Sequence, residues 1–206
     1  KGIVTNELGV MTMPRVLSLD NKGQLRIEPP EEYTTLRENE RRIDNLLLEA
    51  GSMCLLEGID GDVMELYIEA QPSENSTFGV RVRVSPDNEE QTTITVDTEQ
   101  NTLTIDTTET TVTDDVHQRY PIVHGETQAD VRMQEAPFEL GAGEPLTLRI
   151  FLDKSILEVY ANGRQCVTQR IYPSRTDSLG TAVFSHEGAT TIYRIQAWDM
   201  AAVNRV

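Results

Sequence analysis

Asp153 and Glu158 lie five residues apart around a short turn in the most strand-like part of the chain. Paired carboxyl groups are what glycosidic-bond hydrolysis requires, one as acid or base and one as nucleophile or base. The competing reading is structural. Asp153 and Ser155 are placed to accept backbone N–H groups of the turn, and Glu158 to salt-bridge a neighbouring strand arginine, Arg149 or Arg170, by cross-strand pairing. Charges around strand turns are usually solvated or structural, so the second reading is preferred.

Other chemistry is sparse. His117, His124 and His186 are scattered, and His124-Gly125-Glu126 lacks the second-ligand spacing of a zinc site. Asp60-Gly61-Asp62 and Asp114-Asp115 supply too few oxygens for calcium, so turn residues are the default. No Ser-His-Asp ordering, glycine-rich phosphate loop or aromatic-basic patch occurs. The expectation is therefore no catalytic, cofactor-binding or metal-binding residue and no cofactor. Asn75-Ser76-Thr77 fits an N-glycosylation acceptor, which matters only in a eukaryotic secreted protein. Cys54 and Cys166 either form one disulfide or pack as two buried thiols, and the apolar strand pattern around each favours thiols.

Composition narrows the partners. With 34 acidic and 18 basic side chains in 206 residues, the formal net charge is −16. Such a field repels phosphate backbones and anionic headgroups, which makes nucleic acid and membranes poor candidate partners. Neutral or cationic ligands fit better, and the acidity suits an extracellular or secreted protein slightly more than a cytoplasmic one. No apolar run approaches the roughly 20 residues of a membrane span, and the first residues show no signal-peptide pattern.

The positioning elements are strands. Alternation of period two recurs along the chain and predicts an all-β, two-sheet antiparallel sandwich of lectin-like or jelly-roll type with one short helix near the N-terminus. Val16, Leu17 and Leu19, a turn at Asp20-Asn21-Lys22-Gly23, then Leu25 and Ile27 read as a hairpin. After Pro29-Pro30, Glu31 to Arg37 reads as the helix. Strands follow at 53–56, 63–70, 78–84, 92–97 and 102–106, then a long surface connection from Asp106 to Gln134 with a strand at Ala129 to Met133. The last third gives strands at 146–152, 156–160, 166–172, 181–185 and 191–198. Asn162-Gly163 is a tight-turn dipeptide because both residues tolerate positive φ. Trp198, Tyr193, Tyr172 and Tyr160 read as core or rim, and aromatics at 5% argue against a sugar-stacking platform.

The stretch from Leu146 through Asp153-Lys154-Ser155, Glu158-Val159-Tyr160 and Asn162-Gly163-Arg164 resembles a hairpin in the C-terminal domain of glycoside hydrolase family 32, the invertases, levanases and inulinases. Met11 to Leu19 is similar to the join at which that family's catalytic domain ends. Pro29 to Arg37 and Gln196-Ala197-Trp198-Asp199-Met200 resemble further segments, in the family's order. The resemblance implies a parent enzyme with an N-terminal five-bladed propeller that hydrolyses β-fructofuranosides such as sucrose, levan or inulin with retention. Its three catalytic motifs are missing: Arg-Asp-Pro does not occur, and Met53 rather than glutamate precedes Cys54.

The expectation is thus a non-catalytic accessory sandwich over residues 11–206, with residues 1–10 as the end of, or link from, the propeller. The propeller is the expected partner, with a fructan oligosaccharide and a second copy as further ones. The alternative is an independent fructan-binding module. If the sandwich normally packs on a propeller, Val10, Met11, Met13 and Val16 should be solvent-exposed.

Overall fold

The computed structural model describes residues 10–113 and 132–203. It is a two-layer β-sandwich with an N-terminal hairpin on one face. The hairpin pairs β1 (Val16–Leu19) with β2 (Leu25–Glu28) around a turn in which the Asp20 carboxylate accepts the Lys22 and Gln24 backbone N–H groups, both at 2.8 Å. A six-residue 3-10 helix, Glu31–Leu36, follows the prolines.

β3 (Arg37–Leu48), β4 (Ser52–Asp60), β5 (Val63–Pro72), β6 (Thr77–Val84), β7 (Thr92–Asp97), β8 (Thr102–Asp106) and β9 (Met133–Pro137) come next. The remaining strands are β10 (Leu146–Asp153), β11 (Ile156–Ala161), β12 (Gln165–Arg170), β13 (Gly180–His186) and β14 (Thr190–Met200). One antiparallel sheet runs β12-β11-β10-β5-β14-β3, and the other runs β4-β13-β6-β7-β8-β9.

Period-two alternation builds the core between the layers. Leu66, Ile68, Leu148, Ile150 and Ile195 of the first sheet face Val80, Val82, Ile94, Val96 and Ile105 of the second, all buried. In β7 alternation is strict, with Thr92, Ile94 and Val96 inward and Thr93, Thr95 and Asp97 half-exposed outside. In the first sheet it breaks down: Met64-Glu65-Leu66 and Leu157 to Ala161 are buried throughout. A strand buried on both faces must be covered on the outside as well. Over Glu158 the cover is the N-terminal segment, through Met13 and Arg15, and over Glu65 it is Arg37 at the start of β3.

Three expectations need correction. The sequence reading assigned no strand to residues 37–48, yet β3 is the longest strand described; its charged run and the left-handed Asn39 and Asn45 (φ 50° and 56°) mask the period. The strand expected at Ala129 to Met133 begins at Met133 and runs to Pro137, with 129–131 outside the described residues. The strand expected from Cys166 to Tyr172 ends at Arg170. No helix among the described residues is long and apolar enough to cross a membrane.

Candidate functional site

The outer face of the first sheet carries its chemistry in registered rows. Thr168, Glu158, Phe151, Glu65 and Trp198 lie side by side across β12, β11, β10, β5 and β14; one step along are Cys166, Tyr160, Arg149, Tyr67 and Gln196. Glu65 is 0% exposed and Glu158 is 1% exposed. A buried carboxylate persists only with strong partners, and each has them.

Glu65 is clamped from two sides. Arg37 donates Nε and Nη2 at 2.7 Å each, and Arg149 donates Nε at 2.8 Å. The Arg37 guanidinium also lies 3.9 Å above the Trp198 ring centroid, a cation–π contact that seals the cluster. Glu158 holds the N-terminal segment. It accepts the Met13 backbone N–H at 2.6 Å and the Thr168 hydroxyl at 3.1 Å, and pairs with Arg15 at 3.4 Å. The partner is therefore Arg15, not Arg149 or Arg170 as the sequence suggested. Arg149 is taken by Glu65.

These carboxylates are poorly suited to glycosidic hydrolysis. Asp153 is exposed at the β10–β11 turn while Glu158 is sealed under Met13 and Arg15, so the two share no cleft. The turn is held by Lys154 instead, whose backbone N–H reaches the Asp62 carbonyl and whose Nζ reaches the Asp62 carboxylate, both at 2.8 Å. Glu65 and Glu158 flank Phe151 and have their oxygens committed to arginines and backbone. Neighbouring acids are equally inert: burial pushes Tyr160 above its usual range and the Cys166 thiol up to about 11.

Above this face the hairpin leaves a cleft of about 370 Å³ lined by Arg26, Glu28, Tyr67, Arg149, Tyr160 and Asn162. Arg26 and Glu28 face Gly163, and the Ile27 N–H donates to the Gly163 carbonyl at 2.8 Å. The opposite hairpin face carries the cross-strand pairs Leu17–Ile27 and Leu19–Leu25. It has no cover: Leu17 is 65% and Leu19 69% exposed, and Leu25 is exposed too. Val10, Met11 and Val16 are also exposed, as expected, whereas Met13 is half-buried because its N–H is tied to Glu158.

The remaining candidates fall apart. His186 ends β13 and meets the Phe184 ring edge-on; His117, His124 and Asp114-Asp115 lie outside the described residues. Among the described residues no three His, Cys, Asp or Glu side chains gather as a metal site. Cys54 and Cys166 are free thiols on different sheets, half-buried where the sequence reading had them buried. Trp198 and Tyr160 are buried and Tyr172 is half-buried, while Tyr193 is exposed. The Asn75 side of the acceptor triplet is exposed in a turn at φ 53°. What sequence reasoning missed is the Glu65 clamp and the Arg15–Glu158 tie. Only the buried glutamates inside apolar strands signalled either one.

The model of the glycosyl hydrolases family 32 C-terminal domain matches residues 32–199. A fructan 6-exohydrolase of Triticum aestivum is 27% identical over 96% of this chain and 38% of its own length. An insoluble-isoenzyme β-fructofuranosidase of Arabidopsis thaliana is 23% identical over 93% of this chain and 39% of its own. The chain thus spans about two-fifths of these relatives. The crystal structure of fructan 1-exohydrolase IIa from Cichorium intybus superposes with a TM-score of 0.73 at 21% identity, covering 92% of this chain and 41% of that one. Exo-inulinase from Aspergillus awamori gives 0.66 at 20% identity, covering 93% and 36%.

Proposed function

Because the chain belongs to the family of glycosyl hydrolase family 32 C-terminal domains, we propose that it is the non-catalytic accessory sandwich of a β-fructofuranosidase-type enzyme, seated against an N-terminal five-bladed propeller of the same protein. The parent reaction is retaining hydrolysis of a β-fructofuranosyl bond, in sucrose, levan or inulin. The observation that carries this reading is the uncovered apolar hairpin face, Leu17, Leu19 and Leu25, on a segment tied to the sheet through Met13 and Arg15 at Glu158. A contiguous apolar face of this kind marks an interaction surface. Its strands join residues 10–15, the stretch that resembles the domain join.

The sandwich supplies position rather than chemistry, since its buried carboxylates are locked by arginine. The fructan-module alternative fits less well: among the described aromatics only Tyr193, at 43%, is exposed, which leaves no platform on which a sugar ring stacks.

The test expresses this chain and the upstream catalytic portion of its gene as separate polypeptides. The halves should co-purify, sucrose or inulin hydrolysis should follow the catalytic half, and Leu17→Asp with Leu19→Asp should weaken association at least about tenfold, the cost of removing buried leucine contacts. Hydrolysis by this chain alone at a full enzyme's rate would overturn the accessory reading. Saturable heat on titrating fructan oligomers into the chain would favour the module instead.

A further inference from the structure

Glu158 stands in β11 between Leu157 and Val159, both in the core, so alternation turns its side chain to the outer face of the sheet. A carboxylate inside an aliphatic strand is costly unless both oxygens find donors. Oε1 accepts the Met13 backbone N–H, and Oε2 accepts Arg15 Nη2 and the Thr168 hydroxyl. The same Arg15 nitrogen donates to Thr168 Oγ1 at 2.6 Å, which fixes the guanidinium as well. Two of these partners belong to the N-terminal segment that leads into the hairpin.

A second anchor holds the hairpin's other strand. The Ile27 N–H donates to the Gly163 carbonyl, with Arg26 and Glu28 against the same glycine. Gly163 lies five residues beyond Glu158, about 16 Å at the rise of a strand. One anchor alone is a pivot, whereas two set a direction. That direction decides where Leu17, Leu19 and Leu25 point. Glu158 itself is 1% exposed and lies beneath Met13 and Arg15, out of reach of anything that docks on those leucines.

We propose that Glu158 is a positioning residue for the catalytic partner: it pins the entry segment at Met13 and Arg15 and so fixes the direction in which the apolar hairpin face is presented. This role rests on the accessory reading of the domain and adds to it a residue that governs docking without contact. A face ordered beforehand docks more tightly than the same face on a swinging segment, because no further ordering is needed on association.

Glu158→Gln isolates the effect. It keeps one oxygen for the Met13 N–H and puts an amide N–H2 where Arg15, Thr168 and Tyr160 bring their donors. The experiment follows amide hydrogen exchange of residues 16–28 in the intact parent protein and in this chain alone. Protection should be higher in the parent protein, where the hairpin is docked. Glu158→Gln should lower that protection about tenfold. Arg15→Gln should lower it about threefold, since it removes a part-exposed cation and leaves the Met13 bond in place. Glu90→Gln is the control. Glu90 is as buried as Glu158, but its bonds run to Val112, Ser174, Arg175 and Ser178, so the hairpin should keep its protection.

If Glu158→Gln does not fold, Arg15→Gln decides. A hairpin protected in the parent protein and equally protected in both variants overturns the positioning role and leaves the accessory reading standing. So does a loss of protection that Glu90→Gln reproduces. A hairpin no better protected in the parent protein than in this chain alone removes both.

Discussion

At the scale of single residues, stability concentrates in carboxylates taken out of water. Glu65 has two arginines converging on it with no exposed surface of its own, so Glu65→Ala leaves two guanidiniums without their acceptor. The expected loss is about 3–5 kcal/mol in urea unfolding, the cost of breaking a buried pair from one side. Glu144 ties stability to pH. Bidentate Arg164 bonds at 2.6 and 2.8 Å, helped by the Gly141 N–H and Asn162, hold its carboxyl at about 2. A depressed folded pKa stabilises above the unfolded carboxyl value and loses that contribution as pH falls toward about 2. Stability measured from pH 5 downward should therefore decline less steeply in Glu144→Gln than in the parent chain. Sequence revealed neither partner set. The sequence reading offered Glu158 only a neighbouring strand arginine and did not single out Glu65, because Arg15 is 143 residues from Glu158 and only the fold brings them together.

At the scale of elements, the strands with clean alternation were legible and the one without it was not. β7 and β8 coincide with the expected 92–97 and 102–106 because threonine and aliphatic residues alternate without a break. β3 carries Arg37-Glu38-Asn39-Glu40-Arg41-Arg42, an edge-strand composition in which Glu38, Glu40 and Arg42 face solvent while Arg37 and Arg41 are half-buried in ion pairs, and its pairing partner, β14, lies at the other end of the chain. The Asn162-Gly163 turn was legible because its chemistry is local. Both residues take positive φ, 46° and 59°, and the turn sits against the hairpin's Arg26 and Glu28. Gly163→Ala therefore meets both a left-handed backbone and the Arg26 guanidinium. A loss of about 1–2 kcal/mol is expected in denaturant melts, with a smaller loss when Arg26→Ala is combined with it.

For the whole molecule, two long-range properties oppose each other: an uncovered apolar hairpin and a formal charge of −16. The hairpin favours association with a complementary apolar surface, including a second copy, while like charge keeps copies apart. The balance is set by ionic strength, because the screening length falls from about 10 Å at 0.1 M salt to about 3 Å at 1 M. Hydrophobic contact survives that change and repulsion does not. The chain should accordingly sediment as a monomer at low salt and self-associate in molar sodium chloride, and Leu17→Ser with Leu19→Ser should abolish the salt-induced species. The same pair should change the unfolding free energy by less than about 0.5 kcal/mol, since both side chains are exposed. A chain that self-associates equally with and without these leucines would place the sticky surface elsewhere, and the hairpin would no longer mark where a catalytic partner sits.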